Sequence, residues 1–104
     1  MLSPDRLTVK SQDALTEAIA HARRNGNPLV HDTHLLVALL AQEDGIVVPI
    51  LQKLGVTLPP LKEALEREIA RYPKQTDAQP SLARELTAVI DHAEKEAKKL
   101  GDEY

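Results

Sequence analysis

The chain contains no cysteine, no phenylalanine and no tryptophan, and only two tyrosines among its 104 residues. Without thiols neither a disulfide framework nor a thiolate metal site can form, which fits a cytoplasmic location. Without aromatic faces there is no platform for stacking bases and no aromatic-walled pocket. A net charge of −3 leaves no basic footprint, so nucleic acid is not an expected partner. No apolar run approaches the roughly 20 residues that cross a bilayer, and Met1-Leu2-Ser3-Pro4-Asp5-Arg6 lacks a signal peptide's apolar core, so no membrane association is expected. No GxxxxGK[ST] loop is available to cradle ATP phosphates, and no HExxH pair to hold a catalytic zinc. Period-two alternation is also missing, so no strand is expected.

What the chain does have is helical patterning in an ordinary globular composition, 42% hydrophobic and 28% charged, of a length that suits one domain. The most informative stretch is His31-Asp32-Thr33-His34-Leu35-Leu36-Val37-Ala38-Leu39-Leu40. Asp32 or Thr33 can cap a helix start, and six apolar residues follow His34 without a break. A helix apolar all round has no solvent face, so this one is expected at the buried centre of the domain.

The other segments are amphipathic. From Val9 to Asn25, the residues Leu15, Ala18, Ile19 and Ala22 form one stripe, with Thr8 as N-cap and Gly26 in the left-handed position after the last turn. Ile46 to Leu54 reads as a short helix closed by Gly55. Leu58 to Arg71 follows, with Thr57 as its cap and its prolines confined to the first turn. Residues 73–80 are polar and aperiodic, an expected exposed linker. Ser81 then caps a last helix, Leu82 to Leu100, with Leu82, Leu86, Val89, Ile90, Ala93 and Ala97 on one face. The expectation is an all-α fold of five helices.

A shift of about 75 residues superposes two of these helices and their exits. Leu15 falls on Ile90, Ala18 on Ala93, Ala22 on Ala97, Arg23-Arg24 on Lys98-Lys99 and Gly26 on Gly101. The chain divides accordingly into a first repeat over 7–72, a linker over 73–80 and the start of a second repeat over 81–104. Residues 1–104 are thus read as a single domain that forms part of a larger N-terminal domain. The apolar face of the last helix is expected to be bare or to be covered by self-association.

At this point the sequence resembles the N-terminal repeat domain of the Clp-type AAA+ unfoldases. The first repeat carries Leu7-Thr8, the Ala18 and Ala22 helix, Gly26, His34-Leu35-Leu36 and Leu54-Gly55-Val56. The run Ala93-Glu94-Lys95-Glu96-Ala97-Lys98-Lys99-Leu100-Gly101-Asp102-Glu103-Tyr104 is closest to the disaggregase branch, ClpB. The resemblance implies a helical pseudo-repeat above a hexameric ATPase ring, docking unfolded or aggregated polypeptides, or adaptors, for delivery to that ring. It implies no cofactor in this chain, with ATP and magnesium used by downstream modules. In that branch a threonine at the head of helix one and an aspartate after the helix-five glycine are linked to substrate binding, and they match Thr8 and Asp102. Ile90 matches an apolar position of a groove beside helix five, whereas the position two residues on is His92 here.

Two other functions suit the same residues. One is an adaptor-docking domain of a ClpA/ClpC-like protease-coupled unfoldase, and the other a stand-alone helical interaction module. His31 and His34 are read as a capping turn and a packed helical histidine rather than as metal ligands, so no metal site is expected. Ser3, Ser11 and Ser81 have no histidine–carboxylate arrangement near them in sequence, and no catalytic role is expected.

Overall fold

A stripe of small residues sets the first helix, α1 (Val9–Arg24), whose buried face is Ala14, Ala18 and Ala22. In the computed structural model, which describes residues 9–103 apart from the side chains at 97 and 100–103, α1 ends as its sequence requires. Gly26 takes φ 73°, a conformation open to glycine at little cost. The N–H of Gly26 then reaches the Arg23 carbonyl and that of Asn27 the Ala22 carbonyl, the paired bonds of a Schellman cap. A similar turn closes α3 (Val47–Lys53), where Gly55 has φ 84° and Val56 N–H bonds to the Leu51 carbonyl.

After α1 the chain forms a two-residue strand, β1 (Leu29–Val30), and then α2 (Asp32–Ala41), α3 and α4 (Leu58–Ala70). A second short strand, β2 (Ser81–Leu82), leads into α5 (Arg84–Glu103). β1 and β2 pair in parallel, Leu29 beside Ser81 and Val30 beside Leu82. Two residues are too few for any period-two signal, which is why the sequence shows no strand. Ser81 consequently belongs to the bridge rather than capping α5, and the helix starts at Arg84, its first turn held by bonds from Leu86 and Thr87 N–H to the Ala83 carbonyl. α5 also runs on through Gly101 instead of breaking there.

α1 and α2 share the most extensive contact in the molecule, and α2 also meets α3, α4 and α5. The core cluster is Ala14, Ala18, Ala22, Val30, Ala38 and Leu86, with Ile19, Leu35, Leu39 and Ile90 packed at its edge. The helix α2 is central, as its composition implies, but it is not fully enclosed. His34, Ala38 and Leu40 are buried, whereas Leu35, Leu36, Val37 and Leu39 are half-buried. Leu86, expected on the bare face of the last helix, is instead completely buried, because the β1–β2 pairing draws the start of α5 onto the core. The segment 73–80 is tied down as well: Gln75 N–H bonds to the Gly26 carbonyl at 2.8 Å, and Ala78 is buried.

Candidate functional site

Two features on α2 stand out, a polar knot at its head and an apolar groove along its flank. The knot begins with His34, which has no exposed surface. Its Nδ1 accepts the backbone N–H of His31 at 2.9 Å, so Nδ1 carries no proton and the ring is the Nε2–H tautomer. Nε2 then donates to Asn27 Oδ1 at 3.0 Å, and Asn27 Nδ2 donates to the Pro73 carbonyl at 3.1 Å. The N-cap of α2 is therefore His31, with Asp32 the first helical residue, and Thr33 Oγ1 is engaged with the Tyr72 hydroxyl at 2.6 Å. The cap expected from Asp32 or Thr33 is supplied backwards, by the ring of His34.

Burial, reinforced by the neighbouring His21 and His31, lowers the His34 pKa to about 4. Burial also raises the Tyr72 hydroxyl, against the effect of its bond to Thr33. His31 Nδ1 contacts Glu85 Oε1 of α5 at 2.5 Å, and this hydrogen bond lowers the carboxyl of Glu85. The two histidines three apart thus serve cap and core, and among the described residues no group of three metal-ligating side chains converges.

The groove lies between α1, α2 and α5. Leu15, Leu35, Leu39, Val89, Ile90 and Ala93 line it, with Ser11 the single polar side chain, and it encloses a volume of about 150 Å³. That is smaller than the pockets that swallow a whole small molecule, and is of the size that takes one six-carbon ring or one branched aliphatic side chain. Val89 on its rim is 48% exposed. A second apolar surface is convex: Ile46, Ile50 and Leu54 stand one turn apart along α3, all exposed.

The structure places the three sequence-derived site residues differently. Ile90 lines the groove. Asp102 falls in the last turn of α5, its side chain outside the described residues, and Thr8 lies outside them altogether. His92, on the outer side of α5, is exposed and sits 3.9 Å from Glu96 rather than in the groove. Leu35 and Leu39 are groove residues that the sequence hides, because an unbroken apolar run does not say which of its members face open space.

The all-helical unit, its 75-residue offset and its groove define a helical repeat domain. Comparison with known proteins gives the family: the Clp repeat (R) N-terminal domain matches residues 6–104, and the chain belongs to it. It is a Clp N domain, not an ATPase module. Its N-terminal-type sequence is 40% identical over 100 residues to the chaperone protein ClpB of Corynebacterium diphtheriae. It is 43% identical over 99 residues to that of Mycobacterium bovis, and 35% over 101 residues to that of Rhodopirellula baltica. These matches take in 93–96% of this chain and 12% of each relative, so the chain spans about an eighth of the relatives' length. Among the described residues, no helix is long and apolar enough to cross a membrane.

Proposed function

We propose that this domain docks unfolded or aggregated polypeptide for a ClpB-like disaggregase in the cytoplasm. The observation that carries the reading is the groove: six apolar side chains with one hydroxyl, open to solvent and sized for a single aliphatic anchor. Each anchored side chain contributes on the order of 2 kcal/mol of burial, from which the cost of association is subtracted, so contact is weak and exchangeable. Such contact suits a domain that hands polypeptide onward. Binding of this kind uses no cofactor; ATP and magnesium belong to ATPase modules, working as a hexamer, in the longer protein. Thr8 and Asp102 are assigned polar contacts to the bound chain, and Ile90 an apolar one.

The convex ridge of Ile46, Ile50 and Leu54 favours a second reading, in which a folded adaptor presents its own groove to α3. A binding titration separates the two. Val89→Asp or Ile90→Asp is expected to abolish binding of a permanently unfolded model polypeptide while its folded counterpart does not bind either variant or parent. Equal binding of folded and unfolded forms, or full binding by both variants, overturns the groove reading. Loss of binding in Ile50→Asp alone moves the site to α3.

A further inference from the structure

The polar knot and the groove share two helices, and the chain's own side chains connect them. His34 is approached edge-on from α1 by His21, with ring centroids 5.4 Å apart, and from the N-cap of α2 by His31 at 6.0 Å. Tyr72, after α4, stands 5.5 Å away, with Glu68 of α4, Asp32 of α2 and Glu85 of α5 acting on its hydroxyl. Asn25 and Asn27 complete the surround from the α1–α2 loop, Asn25 Nδ2 donating to Asn27 Oδ1 at 3.1 Å.

His34 fits this environment in one protonation state only. A proton taken from solvent at Nδ1 places two donors, the new Nδ1–H and the His31 backbone N–H, against each other across 2.9 Å. One must leave, and His34 is held by Asn27 on its other side and enclosed by the core. His31 is the less buried of the two, and its ring also lies 4.2 Å from Tyr72 and carries the bond to Glu85 in the first turn of α5. α5 supplies Val89, Ile90 and Ala93 to one wall of the groove, and α2 supplies Leu35 and Leu39 to the other.

We propose that His34, His31 and Glu85 form an acid-responsive latch: protonation of His34 displaces His31, breaks its bond to Glu85 and lets the α5 wall of the groove shift. The low position of His34, about 4, keeps the latch closed at neutral pH. The carboxyl of Glu85 is held down by its hydrogen bond to His31. The latch concerns the shape of the groove and holds whatever the groove binds.

Nuclear magnetic resonance tests it, following the ring protons of His34 together with the methyl groups of Val89 and Ile90 on the wall and Leu65 and Ile69 on α4. As the pH is lowered through about 4, the Val89 and Ile90 methyls are expected to shift with the midpoint of His34 while Leu65 and Ile69 stay in place. In Glu85→Ala, a change at a half-exposed position, His34 still titrates, and Val89 and Ile90 show the acid-form shifts already at neutral pH. In His34→Gln the acid response of the wall is absent. The latch is overturned if the wall methyls ignore the titration of His34, if they follow it unchanged in Glu85→Ala, or if the α4 methyls move with the same midpoint, which is general unfolding.

Discussion

α1 and α5 carry the same stripe at the same register and meet opposite fates. On α1, Ala14, Ala18 and Ala22 are sealed beneath α2. On α5, the residues 75 positions later begin with Val89 and Ala93, and both are exposed at the groove. Amphipathic spacing specifies which face of a helix is apolar and leaves open what covers it. The exits differ in the same way, since Gly26 turns left-handed and ends α1 while Gly101 is helical within α5. A repeated sequence signal has become a packed seam in one copy and an open surface in the other.

The largest effect distinguishing the two regions is expected from pH. His34 is a histidine whose folded pKa lies below its unfolded value of 6.5. The unfolded chain therefore binds more protons between about 4 and 6.5, and stability falls as pH drops through that window. The loss approaches about 3 kcal/mol at its acid end. Urea denaturation at stepped pH reads it, and a His34→Gln variant that folds should lack that slope.

Steric filling gives the next contrast. Ala18→Leu forces a larger side chain into a site with no exposed surface, and is expected to cost about 2 kcal/mol. Ala93→Leu, at the matching position on α5, should change stability by less than about 0.5 kcal/mol, since it points into open space. Equal losses in thermal denaturation would mean that the α5 face is as enclosed as the α1 face.

The smallest contrast is one of sign. Gly26→Ala places a side chain in the left-handed region and is expected to destabilise by about 1 kcal/mol, although only ordinary contacts await its Cβ. Gly101→Ala replaces a helical glycine near the end of α5 and should stabilise by a few tenths of a kcal/mol. Circular dichroism melts of the pair decide it.

The five helices and the left-handed Gly26 are legible in the sequence, because each rests on local spacing or on one residue's backbone freedom. The polar knot is not. Asn27, Pro73 and Glu85 lie 7, 39 and 51 positions from His34, and only the fold brings them together. The β1–β2 bridge escapes for a related reason: its two-residue strands have no period, yet they decide that Leu86 is core and Val89 is groove. The half-burial of Leu35 and Leu39 follows from that placement of α5, which their own apolar run cannot express.

The central claim is that the open copy of the stripe, on α5, forms the docking surface together with α1 and α2. Methyl spectra of the domain titrated with a permanently unfolded polypeptide test it directly. Saturable shifts at Leu15, Leu35, Leu39, Val89 and Ile90, with Ile46, Ile50 and Leu54 unmoved, are the expected result. Shifts confined to Ile46, Ile50 and Leu54, with a silent groove, would contradict it.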